Sequence, residues 1–333
     1  MRGRFGGGRG VFPLFVFWIL AATASAGEYL ALSAVAEDLG LEAVRLDEEG
    51  IPAVALRGKW ISLRFRENSR IVALNGIKVL LGDPVVGSKG RLYLSRDDWK
   101  GTLRPILQPR FYGKPPGAVR VVVDPGHGGK DPGAQNLAAG LDEKDLAIDL
   151  ARRVAEKLRR AGFEVALTRS DDRFVPLAGR PEAARRAGAD LFLSLHFNAA
   201  RPAVRGIETF VYTLAGDPST GRLETGPRDR IAYPGNRNDP WNALLGYYLQ
   251  AELVRATGLP DRGLKRARFA VLESLECPGA LLELGFLSNR ATAVRLKDPA
   301  WRDLLAEAVV RGVERYRKTL RRLAGPPKNE AGP

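Results

Sequence analysis

Residues 121–130 read VVVDPGHGGK. Three consecutive valines are β-branched and apolar, and such a run reads as a buried strand. Asp124-Pro125-Gly126 ends it, because proline has no N–H to donate and glycine frees the backbone. His127 follows at once between glycines, in a chain of 333 residues that holds only two histidines. A histidine just past the carboxyl end of a buried strand stands where open α/β sheets bind their ligands. The glycines around it leave space for the imidazole to turn into a cleft.

The same texture continues on the C-terminal side. Apolar strand-like runs recur at 119–124, 163–168, 190–197, 207–212 and 280–284. Helical patterns separate them: Leu146, Leu150, Val154 and Leu158 repeat at i, i+4, and 301–320 is amphipathic. Alternating strands and helices predict an α/β fold over 119–322, a mixed, mostly parallel sheet flanked by helices. Residues 214–242 lack periodicity and are rich in Gly, Pro, Asp, Arg and Asn, which predicts a long loop forming a mobile wall of the substrate groove. Residues 323–333 are expected to be a disordered tail.

The N-terminal side has a different character. Three arginines precede an apolar run at 11–22, and Ala24-Ser25-Ala26 matches a small-residue cleavage signal. Residues 1–26 are therefore expected to be a signal peptide, and the protein an exported one, with the periplasm favoured over the extracellular space. Residues 28–108 predict a small α+β domain, with a helix over 29–39, short strands near 53–56 and 60–63, and a hairpin at Asn75-Gly76. Its expected role is wall binding or scaffolding, with a plain folding unit as the alternative. A Pro- and Gly-rich linker is expected over 109–118. The formal charge is +14 for the whole chain and +11 without 1–26, which suits anionic surfaces. No basic stripe interleaved with aromatics is present, so no dedicated nucleic-acid binding is expected. Cys277 is the only cysteine, which excludes an internal disulfide, and its apolar neighbours predict a buried thiol.

Four polar groups are expected at one sheet edge. His127 and His196 follow or close apolar strands, Glu143 opens a helix with Asp142 as its N-cap, and Glu283 closes the run 280–282. Two imidazoles and a carboxylate are a set that suits zinc with a fourth position left for water. Glu283 is then free to act as a general base. Singly, each has an ordinary explanation: Glu143 favoured by a helix dipole, Glu283 paired with Arg290, Asp124 a turn residue.

These residues fall in a recurrent order: VVVDPGHGGKDPGA at 121–134, GLDEKDLAIDLARRVAEKL at 140–158, VALTRSDD at 165–172, ADLFLSLHFNA at 189–199, GIETFVY at 206–212, RARFAVL at 266–272 and ALLELGFLSN at 280–289. The segment resembles the zinc-dependent N-acetylmuramoyl-L-alanine amidases of amidase type 3. That resemblance implies Zn²⁺ on His127, Glu143 and His196 and catalysis by Glu283. It implies peptidoglycan as partner and substrate, cut between N-acetylmuramic acid and L-alanine; no motif identifies a protein activator. Residues 28–108 loosely resemble the small N-terminal domains named after copper amine oxidases. The segment departs from amidase type 3 at Ala184-Arg185-Arg186, where Ala-Asn is usual. A zinc carboxypeptidase is the alternative from another class, with Arg169 or Arg180 as a carboxylate clamp, and a non-catalytic wall-binding protein is a third reading.

Overall fold

A computed structural model describes residues 28–222 and 224–325. The expected signal peptide and most of the expected tail lie outside the described residues. The valine run becomes strand β6 (Arg120–Pro125), and all but Arg120 are buried. The Leu146-to-Leu158 repeat becomes the inner stripe of helix α2 (Glu143–Arg160), which is acidic in its first turn and basic in its last, complementing the helix dipole. The other elements of this half are β7 (Glu164–Leu167), α3 (Gly179–Arg186), β8 (Leu191–Asn198), β9 (Ile207–Val211), α4 (Asp239–Thr257), β10 (Asp261–Arg266), β11 (Gly279–Phe286), α5 (Arg290–Lys297) and α6 (Pro299–Ala324). Helix α6 runs past 322, so Leu323 and Ala324 are helical and not part of a tail.

Before them come α1 (Leu32–Leu39), β1 (Glu42–Glu48), β2 (Ile51–Arg57), β3 (Ser62–Arg66), β4 (Ile71–Leu74) and β5 (Ile77–Leu80). Tyr29–Ala31, expected to be helical, instead pairs with Arg91–Ser95 in a small three-stranded sheet. Asn75 and Gly76 both have positive φ (49° and 80°), the conformation a two-residue hairpin turn demands.

The main sheet has eleven strands in the order β7-β6-β8-β11-β9-β10-β5-β4-β3-β2-β1. Strands β7, β6, β8 and β11 are mutually parallel, β9 is antiparallel to β11, and β9, β10 and β5 are parallel again. Side chains alternate between the two faces. Val121, Val123, Leu193, Leu195, Leu282 and Leu284 pack with the apolar stripes of α2, α4 and α6 in the main core. Val122, Phe192, Leu281, Tyr212 and Ala184 of α3 form a second core on the other face.

Strand β5 pairs with β10 at Val79–Leu264, which joins the 28–108 unit to the sheet. Lys78 N donates to Asp261 Oδ2 (2.7 Å), Tyr247 Oη to the Leu74 carbonyl (3.2 Å) and Arg266 Nη2 to the Gly101 carbonyl (2.6 Å). Leu74, Val79, Tyr247 and Leu264 belong to one buried cluster. Residues 28–325 are therefore expected to unfold in a single cooperative transition. Deleting 28–118 exposes the edge of β10, and the shortened chain should melt at lower temperature and self-associate. Calorimetry and light scattering check this; two separated transitions in the intact chain would contradict it.

Candidate active site

Strands β6, β8 and β11 are parallel neighbours, so their carboxyl ends share one edge. The chain leaves β6 through a buried polar framework. Asp124 is fully buried and accepts from Arg180 Nη1 (2.7 Å), Thr168 Oγ1 (2.5 Å) and Ser194 Oγ (2.7 Å). Arg180 also donates to the carbonyls of Pro125 and His127 (both 2.8 Å). Arg169, itself buried, donates to the carbonyls of Pro125 (3.1 Å), Gly126 (2.7 Å) and Lys144 (2.9 Å). The two guanidiniums thus take up three successive carbonyls of the loop and tie it to the start of α2. His127 sits on this loop with φ of 59°, a left-handed conformation that few non-glycine residues adopt.

Glu143, the first residue of α2, lies between both imidazoles. Its Oε1 is 2.9 Å from His196 Nδ1 and its Oε2 is 3.1 Å from His127 Nε2. The Phe197 N–H (3.0 Å) and Ala134 N–H (2.8 Å) fix the same two oxygens. The imidazoles meet edge to face with centroids 4.9 Å apart. Glycine is needed on two sides: a Cβ on Gly126 would come within 2.3 Å of His196 Cε1, and one on Gly133 within 2.6 Å of Glu143 Oε2 and His127 Cδ2. One ligand atom from each of His127, Glu143 and His196 lies within 4.8 Å of the others, so the three can hold a metal ion.

Burial disfavours charge on Glu143, but hydrogen bonds from His127 and His196 outweigh it and hold the carboxyl well below its usual range. Burial likewise opposes protonation of His127, yet Glu143 and then Asp131 raise its proton affinity. Glu283 is the opposite case. Its Oε2 is shut off from solvent with no hydrogen-bond partner among the described residues. Burial first, then the charges of Glu143 and Glu208, push its pKa well above the ordinary carboxylate value, with Lys265 opposing. Glu283 and the three ligand candidates line one cleft of about 300 Å³, whose apolar wall includes Leu177, Phe269, Val271 and Leu281.

The four residues expected from the sequence are therefore together. Glu283 is interior to β11 and not at its end, in register with His196 of β8. It makes no ion pair with Arg290 among the described residues. Asp142 occupies the N-cap position without a capping bond and accepts from Gln135 instead. Arg169 and Arg180 are spent on backbone carbonyls and Asp124, so neither is a clamp. None of the described residues of 214–242 lines the cleft. They contain 3₁₀ turns at Pro227–Arg230 and Pro234–Asn238, and Trp241 is core. Arg268 holds this segment by the carbonyls of Leu214, Asp217 and Asp229. Burial pushes the Cys277 thiol up to about 12, so it is no nucleophile at neutral pH. One residue was missed: Asp131, whose Oδ2 is 2.9 Å from His127 Nδ1. Its signal was an acid four residues after the histidine, inside a turn rich in glycine and proline.

A family model described as N-acetylmuramoyl-L-alanine amidase matches residues 121–315. The N-acetylmuramoyl-L-alanine amidase AmiC of Neisseria meningitidis serogroup B is 33% identical over 239 residues, 65% of this chain and 53% of that protein. The chain thus spans about half the length of that relative. The N-acetylmuramoyl-L-alanine amidase of Clostridium difficile 630 superposes with a TM-score of 0.51 at 29% identity, over 61% of this chain and 98% of that one. AmiC2 of Nostoc punctiforme gives 0.50 at 33% identity, over 61% and 99%.

The buried framework yields a stability prediction. Asp124→Asn leaves the Arg180 charge buried without its counter-ion, which costs about 3–5 kcal/mol. Urea unfolding of D124N should show this loss; a change within experimental error would mean that the carbonyl contacts alone satisfy Arg180.

Proposed function

The chain belongs to the N-acetylmuramoyl-L-alanine amidase family, and we propose that it hydrolyses the amide between the lactyl group of N-acetylmuramic acid and L-alanine of the peptidoglycan stem peptide. The observation that carries this reading is the division of labour in one cleft: a His-Glu-His set able to hold a metal, beside a carboxylate with one oxygen buried and unpartnered among the described residues. The metal proposed is Zn²⁺, on His127, Glu143 and His196. The donor set fits it, since two imidazoles and one carboxylate are a catalytic rather than a closed structural complement. When bound, zinc lowers the pKa of a water and polarises a carbonyl.

The residues of the chain do the rest. Asp131 takes the His127 Nδ1 proton as its hydrogen-bond partner and so leaves the Nε2 lone pair facing the site. Ala134 and Phe197 hold the Glu143 carboxylate in place through their N–H groups. Glu283, with no competing partner, takes the proton from the water as its oxygen bonds to the amide carbon. The C–N bond then breaks and Glu283 passes that proton to the departing nitrogen of L-alanine. A carboxylate on the sugar's lactyl group and a free peptide amine result. A wall substrate entails export, and the periplasm is the compartment proposed. A carboxypeptidase reading loses support because its two candidate arginines are committed elsewhere.

Mass spectrometry of digested sacculi should reveal free stem peptides with L-alanine amino termini; loss of C-terminal residues or no change would refute the reading. Glu283→Gln should keep fold and zinc while losing roughly 10²–10⁴ in rate. Near-normal turnover of the zinc-loaded variant would remove Glu283 from the mechanism. Asp131→Ala should weaken zinc binding about 10–100-fold in a chelator competition. Unchanged affinity would show that His127 needs no such orientation.

A further inference from the structure

The sheet face that carries Glu283 continues beyond the cleft. His196, Glu283 and Glu208 are register partners across β8, β11 and β9. The neighbouring row runs from Leu281 through Phe210 to Lys265 of β10. Glu208 is 3% exposed and fully committed. Its Oε1 accepts from Arg262 Nε and from Lys265 Nζ (2.8 Å), and its Oε2 accepts from Asn198 Nδ2 (3.3 Å), a residue of the cleft wall.

One cation would neutralise Glu208, yet two are present, so the group keeps a net charge of +1. Arg262 is engaged through Nε alone, and its side chain is 37% exposed. Its two terminal nitrogens make no hydrogen bond among the described residues. Lys265 uses one of three N–H groups on Glu208. Both cations are also seated on rings, Arg262 over Phe286 (5.2 Å) and Lys265 over Phe210 (5.5 Å). Phe210 in turn stacks edge to face on Phe269 of the cleft wall. The result is a fixed pair of cations with spare donors, on the same sheet face as the reacting centre. A free guanidinium fork of this kind matches a carboxylate in two parallel hydrogen bonds.

We infer that Arg262 and Lys265, held by Glu208, form a subsite for a carboxylate of the stem peptide on the leaving-amine side of the scissile bond. This inference rests on the amidase reading. Two strand spacings of about 4.8 Å put β10 about 10 Å from the strand of Glu283. An extended dipeptide spans about 7 Å, and the arginine side chain reaches back toward Glu208. The residue after L-alanine, whose α-carboxyl is free unless amidated, is the group this reach selects. Arg262 and Lys265 are then specificity residues, and Glu208 is a positioning residue.

The test compares wall polymer whose second stem residue carries an α-carboxylate with the same polymer carrying the α-carboxamide. The zinc-loaded full chain should prefer the carboxylate by about tenfold or more in kcat/KM, mainly through KM, and lose that preference with added salt. Arg262→Gln and Lys265→Gln should each lower the rate on the carboxylate polymer more than on the carboxamide polymer, and the ratio of the two rates within each variant cancels any change that reaches Glu283 or the fold. Arg262→Lys, which keeps the charge on Glu208 but not the fork, should lie between. Equal rates on both polymers in the unaltered enzyme, or equal losses on both in the variants, would overturn the subsite. Failure to cut either polymer would instead overturn the amidase reading on which it stands.

Discussion

A buried carboxylate stays charged only if the fold supplies partners, and Asp124 sets that condition for the whole site. It has no exposure, and its three donors come from three places: Arg180 of α3, Thr168 after β7 and Ser194 of β8. Satisfying it fixes those elements against the end of β6. Arg180 and Arg169 then occupy the carbonyls of 125–127, which cannot pair in the sheet once the chain has turned away. Those carbonyls and Asp124 repay the burial of two guanidiniums, so the framework is mutually dependent and loses several contacts if one member is removed. The left-handed conformation at His127, uncommon for a residue with a side chain, is held by this framework.

Two glutamates a short way apart receive opposite treatment from the structure. Glu143 gathers two imidazoles and two backbone N–H groups, all of which favour its charged form. Glu283 faces two other carboxylates with one oxygen buried and unpartnered, which favours its neutral form. Environments that push two carboxyl groups apart in proton affinity separate a permanent anion from a group able to carry a proton. The sheet register enforces the difference, since Glu283 lies beside Glu208 across one strand pair and beside His196 across the other.

The legible parts of the chain were those with a single reason to be what they are. The valines of β6 and the leucine stripe of α2 serve only the core, so their periodicity announced both elements. His127, His196 and Glu143 stood out because histidines are scarce and the loop around the first is full of glycine. The framework below them was not legible: Asp124, Arg169 and Arg180 are charged, and charged residues are almost never fully buried unless paired. Their pairing is set by contacts 43 to 70 residues apart in sequence, which no local pattern carries. Asp131 was hidden for the opposite reason, since an aspartate next to proline and glycine already has a sufficient explanation as a turn residue. The segment 214–242 lacked periodicity for a physical reason too: its order comes from backbone carbonyls gathered on Arg268, a contact that leaves no trace in hydropathy.

Strand β10 is where these lines meet. Its sequence, DRGLKR, contains one apolar residue and would be rejected as an interior strand on composition. It is interior nonetheless, between β9 and β5. Leu264 alone faces the helical core, where it meets Gly246 of α4 and Val79 of β5. The charged positions are each matched from outside the strand: Asp261 by the Lys78 N–H and Gln250, Arg262 and Lys265 by Glu208, Arg266 by the carbonyls of Tyr212 and Gly101. A strand so dependent on side-chain partners contributes less to folding than an apolar one of equal length would. Its polarity lets it join the 28–108 unit to the sheet on one side and present cations toward the cleft on the other. Departure from the local rule for strands is concentrated where the molecule has something other than its own core to hold, which is where such departures are expected.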